Sequence, residues 1–232
     1  MSPSFPERCL AVIIPVYNEA ATVDRVISKV LKQPQVAEVI VVDDGSTDAT
    51  TGKLEALLAG NDQLRLMRHE INRGKGAALR TAIMQVNAPI TIIQDADLEY
   101  DPAEYDTLLQ PVLTGRADAV FGSRFIGGQA HRVLYFWHMA GNRLLTLLSN
   151  MRTNLNLTDM ECGHKLFLTE KLKAMRLNEA GFGIEPELAA QAARMSLRVY
   201  EVGVSYSGRT YAEGKKISWR DGLGAIRAIL KS

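Results

Sequence analysis

Pro89-Ile90-Thr91-Ile92-Ile93-Gln94-Asp95-Ala96-Asp97 is an apolar run that ends on two carboxylates one residue apart. Its length and β-branched content are those of a buried strand. Alternate residues of an extended chain point the same way, so Asp95 and Asp97, with Glu99 beyond them, can converge on one cation. Hard oxygen ligands suit Mg²⁺ or Mn²⁺, ions that keep positions open for phosphate oxygens. Asp-x-Asp alone is close to a chance occurrence. A second acidic strand end, Val41-Val42-Asp43-Asp44-Gly45-Ser46, gives it weight.

Outward from this run the same alternation repeats. Residues 10–15 read as a strand, followed by Val23, Val26, Ile27, Val30 and Leu31 at helical spacing. Residues 38–42 are a second strand. Asp48 is placed to cap a helix that carries Leu54, Leu57 and Leu58 and stops near Gly60. Residues 64–68, 89–94 and 117–121 supply three more strands. Between them lie an Ala-rich helix over 76–86 and a helix opened by Pro102 that carries Leu108, Leu109 and Val112. The repetition predicts an α/β fold, a mostly parallel Rossmann-like sheet with right-handed crossovers. Ligands of such sheets bind outside the carboxyl ends of the strands. Asn18-Glu19, Asp43-Asp44 and Asp95-Ala96-Asp97 all fall there.

The second half changes character. Residues 132–151 are helix-like, with Leu134, Trp137, Leu144, Leu145, Leu147 and Leu148 interrupted by His138, Asn142 and Arg143. A helix is expected over 185–195 and an alternating strand over 198–206. No repeat or linker interrupts the chain, so residues 1–232 are read as one domain. The tail from Ser207, rich in Gly, Lys and Arg, suits a mobile loop over a site better than core.

Composition narrows the function. At 232 residues the chain supports one substantial core, and 47% hydrophobic with 23% charged residues describes an ordinary globular protein. A formal net charge of +1 gives no electrostatic case for nucleic acid. Cys9 and Cys162 make no disulfide framework, which points to a reducing, cytoplasmic setting. The first eight residues lack the apolar core of a signal peptide, and no stretch reaches the ~20 apolar residues needed to cross a bilayer. The expectation is a soluble or peripheral protein, on the cytoplasmic face if on a membrane.

Six segments then act jointly: Ile14-Pro15-Val16-Tyr17-Asn18-Glu19, Val42-Asp43-Asp44-Gly45-Ser46-Thr47-Asp48, Asn72-Arg73-Gly74-Lys75-Gly76, Asp95-Ala96-Asp97-Leu98-Glu99, Gly122-Ser123-Arg124 and Arg209-Thr210-Tyr211-Ala212-Glu213-Gly214-Lys215. In this order the chain resembles the family 2 glycosyltransferases of GT-A fold, most of all the dolichyl-phosphate mannose synthase and dolichyl-phosphate glucosyltransferase branch. The resemblance implies inverting, metal-dependent transfer of a hexose from a GDP- or UDP-sugar to a polyprenyl phosphate. It implies a nucleotide-sugar-binding half over 8–124 and an acceptor half over 125–232. It also places Pro15, Tyr17, Glu19, Val42 and Asp44 around the nucleoside. Tyr17 offers a ring for stacking, while Glu19 and Asp44 accept hydrogen bonds. Asp43 and Asp44 equally fit an Asx turn with a positive φ at Gly45, and Asn18-Glu19 equally fit a helix start.

By the same resemblance Asp95, Ala96 and Asp97 meet the donor, and Asp95, Asp97 and Glu99 hold Mg²⁺ or Mn²⁺ on its diphosphate. Arg124, Arg209 and Lys215 are the cationic counterpart, Lys75 lies near the donor, and Gly74 shapes the turn before it. Asp97 and Asp159 are the candidate catalytic residues. Thr158-Asp159-Met160-Glu161 falls near the acceptor. A sugar hydroxyl needs a carboxylate to take its proton, whereas a lipid phosphate is already ionised, so Asp159 is either a base or a positioning residue. Glu185 reads as the cap of the helix starting at Pro186, and His164 as structural. Residues 134–148 fit either core or a membrane surface flanked by Arg132, Arg143 and Arg152, with Ile226, Ile229 and Leu230 helping. Competing readings are a soluble transferase that extends a saccharide and a non-catalytic nucleotide-sugar-binding subunit.

Overall fold

Leu10–Val16 is apolar at every position and forms β1, buried on both faces as a central parallel strand must be. Its side chains alternate between two cores: Val12 and Ile14 pack on one face of the sheet, Ala11 and Ile13 on the other. The computed structural model describes residues 4–128, 131–133, 135–214 and 219–231. The remaining strands are β2 (Val36–Asp43), β3 (Leu64–Arg68), β4 (Ile90–Ile93), β5 (Ala119–Ser123), β6 (Lys165–Leu168) and β7 (Val199–Gly203). They form one sheet of seven in the order β3-β2-β1-β4-β6-β5-β7.

Helices α1 (Val23–Leu31), α2 (Thr50–Leu58) and α4 (Tyr105–Leu113) cover one face, with Val26, Ile27, Leu54, Leu108 and Leu109 in its core. On the other face lie α3 (Lys75–Ile83), α7 (Ile184–Arg194) and α8 (Trp219–Lys231), through Leu79, Ile184, Leu188 and Ile229. The first half follows the expected β–α order. Asp48 accepts the Thr50 amide at 2.9 Å, and Gly60, at φ +96°, lies just beyond α2.

Two features depart from the expectation. β6 was not anticipated. It is only four residues long and opens on a lysine, yet it inserts antiparallel between β4 and β5, so the sheet is mixed. The short α6 (Thr169–Ala174) follows it directly. The tail from Ser207 is not all loop either, because α8 buries Ala225, Ala228 and Ile229. Apolar residues at helical spacing outweigh the basic composition there.

From β1 the chain steps outward through β2 to β3, then crosses back to pair β4 on the other side of β1. Strand order thus reverses between β1 and β4, and in such sheets ligands bind beyond the carboxyl ends of the strands at this point. Among the described residues no helix is long and apolar enough to cross a membrane.

Candidate active site

β4 delivers Gln94 and then the acidic loop to this switch point. Gln94 is fully buried: its Oε1 accepts the Tyr105 hydroxyl at 2.7 Å and lies 2.9 Å from His164 Nε2. Asp95 then meets Lys75, the first residue of α3, at 2.7 Å. The same ammonium lies 2.8 Å from Glu185 in the first turn of α7. Glu185 in turn pairs with Lys165 at the start of β6, and Lys165 also donates to the carbonyls of Met160 at 2.9 Å and Cys162 at 2.6 Å. Glu185 is thus the hinge of a buried chain of alternating charge, Asp95–Lys75–Glu185–Lys165, and not merely a helix cap. Burial alone would raise the Asp95 carboxyl, but the Lys75 ammonium holds it below its ordinary value. Gly163 backs this arrangement. A Cβ there would sit within the contact radius of Asp95 Oδ2 and only 3.0 Å from Asp95 Cγ.

Asp97 lies in a different environment. Burial, with Asp95 and Glu99 nearby, pushes its carboxyl up to about 7, and Arg209 only partly offsets them. Arg209 forks onto Glu19 at 3.0 and 3.1 Å and reaches Asp97 at 3.2 Å. Its own amide donates to Glu99 Oε1 at 2.7 Å, while the Tyr206 hydroxyl donates to Glu99 Oε2 at 2.9 Å. The Thr22 hydroxyl fixes the carbonyl of Ala96 at 2.7 Å. The start of the basic tail therefore lies over the acidic loop, as its composition suggested. Lys215 falls outside the described residues.

Asp95, Asp97 and Glu99 do not converge as a ready cage, since no cluster of three His, Cys, Asp or Glu able to hold a metal occurs among the described residues. Both oxygens of Glu99 are engaged by protein donors. Asp97, with Asp95, still fits a hard divalent ion: carboxylate oxygens are the right donors, and the two lie close enough that Asp95 helps to raise the Asp97 carboxyl.

The nucleoside-side residues separate into two groups. Tyr17 is 38% exposed, and Pro15 is half-buried in β1. Val42 and Asp43 are fully buried. Asp43 accepts the Ser46 amide at 2.9 Å and the Thr51 hydroxyl at 2.6 Å, which is the turn that Gly45 makes possible at φ +72°. Asp44 holds the following loop, accepting the amides of Arg73 at 3.0 Å and Gly74 at 2.7 Å. His69 Nδ1 lies 2.6 Å from Asp44, and its Nε2 lies 3.0 Å from Thr81 Oγ1. Gly74 turns the chain at φ +93° directly into Lys75.

Arg124, just after β5, is gripped by Asp159. Two side-chain bonds of 2.6 and 2.7 Å and one from the Arg124 amide at 3.0 Å converge on that carboxylate. Asn142 of α5 (Phe136–Thr153) adds a fourth at 2.9 Å. Asp159 has no exposed surface, and Arg124 holds its carboxyl below the usual range despite burial. Both oxygens are committed, so the geometry is that of a residue positioning Arg124. Glu161 contrasts with it. Burial, with Glu185 close by, pushes its carboxyl up to about 7, and its Oε1 has no hydrogen-bond partner. His164 is fully buried and stacked on Tyr100 at 4.7 Å, which fits the structural role expected of it.

His69, Gly163 and Lys165 were not anticipated. Only Gly163 left a signal, a glycine close to the acidic Thr158-Asp159-Met160-Glu161 segment, where backbone approaches something closely. His69 acts through Asp44 and Thr81, and Lys165 through Glu185, partners that no local pattern announces.

An open mixed sheet with an acidic loop at its switch point has the architecture of a GT-A glycosyltransferase. The Glycosyl transferase family 2 model matches residues 11–176, and the chain belongs to that family. It is 26% identical over 215 residues to the undecaprenyl-phosphate mannosyltransferase of Micrococcus luteus, covering 88% of this chain and 85% of that one. It is 29% identical over 201 residues to glycosyltransferase AglJ of Haloferax volcanii, covering 86% of this chain and 63% of AglJ. Crystal structures of glucosyl-3-phosphoglycerate synthase from Mycobacterium tuberculosis share the fold. The complex with Mn²⁺, UDP and glucosyl-3-phosphoglycerate has a TM-score of 0.74 at 24% identity, covering 97% of this chain and 79% of that chain.

Proposed function

We propose that this glycosyltransferase moves a hexosyl group, with inversion, from a GDP- or UDP-sugar to a polyprenyl phosphate, using Mg²⁺ or Mn²⁺. One observation carries the donor half: Glu19, Asp95, Asp97 and Glu99 are gathered against Lys75 and Arg209 at the switch point. Asp97 with Asp95 would hold the ion, which when bound neutralises charge growing on the leaving nucleoside diphosphate. Arg209 and Lys75 supply charge-assisted donors to the phosphates, Lys215 in the tail joins them, and Tyr17 stacks on the base.

Two arguments support the acceptor. Relatives named undecaprenyl-phosphate mannosyltransferase and polyprenol monophosphomannose synthase match at 26% and 25% identity over most of this chain. Asp159, with both oxygens on Arg124, is poorly placed to take a proton, and an ionised lipid phosphate asks for no base. Asp159 then serves to position Arg124, one of the cations proposed for the donor diphosphate. The test supplies labelled GDP- and UDP-hexoses with Mn²⁺ to the purified chain, offering either a short-chain polyprenyl phosphate or a disaccharide. Label that partitions into solvent with the lipid is expected, and label found only on the disaccharide overturns the acceptor.

Glu161 favours a second reading. A carboxyl with a free oxygen and proton affinity near neutrality is equipped to deprotonate a saccharide hydroxyl.

A further inference from the structure

The most deeply buried residues of helix α5 are polar. Its buried residues are Thr146 and Ser149. The Thr146 hydroxyl accepts the Met160 amide at 3.1 Å, Asn142 reaches Asp159, and Asn150 both donates to and accepts from the backbone of Leu157, at 2.7 and 3.1 Å. Leu145 and Leu148 pack on the core beside them, but the other large apolar residues point the other way. Trp137 is 80% exposed, Met151 76%, and Leu144 and Leu147 more than half. Spacings of seven, three and four put these four on one stripe. Helix α8 continues the surface. Leu223 and Leu230, seven residues apart, are both mostly exposed, and an apolar groove of about 240 Å³ lined by Leu148, Met151, Ile226, Ile229 and Leu230 lies between the two helices. A contiguous apolar face of this kind marks an interaction surface.

Charge says what covers it. The chain as a whole is balanced, with 27 basic and 26 acidic side chains, yet residues 119–158 contain no Asp or Glu at all. Arg143 lies on one side of the stripe and Arg152 on the other, and Arg227 and Lys231 are exposed on α8. An apolar stripe edged with cations matches the interface of an anionic bilayer: side chains enter the acyl boundary while arginines meet the headgroups.

The geometry points to the α5–α8 face as a docking surface for an anionic lipid bilayer. The inference deepens the proposed function and rests on it for its purpose, since Asn142 of the same helix touches Asp159 and so sets the acceptor side of the site beside the lipid. Docking itself is measurable without any transfer.

The test is flotation of the chain with vesicles of phosphatidylcholine alone or with one-third phosphatidylglycerol, in a Trp219→Phe background that leaves Trp137 as sole tryptophan. Binding to the anionic vesicles is expected, weakened by salt, with Trp137 emission shifted to the blue and quenched by brominated lipid. Leu144→Ser/Leu147→Ser should lower partitioning at least about tenfold with the melting temperature kept, since both side chains are exposed in the free protein. Arg143→Glu/Arg152→Glu should remove the preference for anionic lipid. Absence of vesicle binding, or binding indifferent to both double variants, overturns the inference. So does a lipid-free dimer in sedimentation equilibrium that the leucine variant dissociates, because a second copy would then own the face. Transfer to a short-chain polyprenyl phosphate in solution without vesicle binding sinks only the docking. Vesicle binding with transfer only to a saccharide sinks only the proposed acceptor.

Discussion

Replacing Gly163 by alanine tests whether the buried charge chain positions Asp95. The backbone at Gly163 is not in the left-handed region, so alanine meets no conformational obstacle there. The obstacle is contact: its Cβ would lie 3.0 Å from Asp95 Cγ, closer still to Oδ2, and 3.2 Å from Tyr100 Cε2. Carbon atoms settle at about 3.5–4.0 Å, so the carboxylate must retreat by on the order of 1 Å. It cannot carry Lys75 along, because that ammonium is also fixed 2.8 Å from Glu185, which Lys165 holds in turn. A misplacement of this size in a substrate-positioning group costs roughly 100-fold. The variant is therefore expected to fold, to melt within a few degrees of wild type, and to lose about 100-fold in kcat/KM, or about 2.7 kcal/mol of transition-state stabilisation. Gly52→Ala is the control. Gly52 lies exposed in α2, and a methyl added to it would have nothing within 4 Å, so alanine should add about 0.5–1 kcal/mol of stability and leave activity alone. Gly163→Ala with kcat/KM within threefold of wild type would refute the reasoning.

Four further outcomes are expected. Asp159→Asn strands a buried guanidinium and should cost about 3 kcal/mol in urea unfolding, with Arg124→Met/Asp159→Asn costing less than the sum of the singles. Its transfer rate should fall modestly; complete loss with nucleotide binding intact would make Asp159 a base. Glu161→Gln should leave transfer to polyprenyl phosphate within about threefold, whereas loss of a kinetic limb near pH 7 would favour a hydroxyl acceptor. Burial pushes His164 down to about 4, so the unfolded chain binds its proton first as pH falls. Stability is then full above about pH 6.5 and is lost towards pH 4, by up to about 3 kcal/mol, a slope that His164→Gln should flatten in urea titrations at different pH. Finally, Mn²⁺ with GDP or UDP should raise the melting temperature of wild type, and either EDTA or Asp97→Asn should abolish the metal-dependent part of that shift.

Much of the donor side was legible because its signals are local. Apolar runs of strand length, helical spacing after each, and Asp or Gly at each junction are short-range patterns. The handedness and polarity of parallel sheets then put every such junction at one edge. The sequence alone thus determined the α/β class, the first five strands and the gathering of Glu19, Asp44, Asp95 and Asp97 at a single rim. It also suggested that a basic tail lies over them, which Arg209 does.

Partners were decided only by the tertiary structure. Nothing near Lys75 announces Glu185, and nothing near Arg124 announces that Asp159 will spend both oxygens on it. The four-residue β6 is too short to show a period, and its lysine looks like a surface residue until Glu185 neutralises it inside. Leucines at helical spacing in α5 fit core or surface equally well. The structure divides them: Leu145 and Leu148 pack on the core, while Leu144 and Leu147 face out because Thr146, Asn142 and Asn150 find backbone and carboxylate partners inward; Leu134 lies outside the described residues. Periodicity states that a helix has two faces; only the groups waiting on either side decide which one is buried.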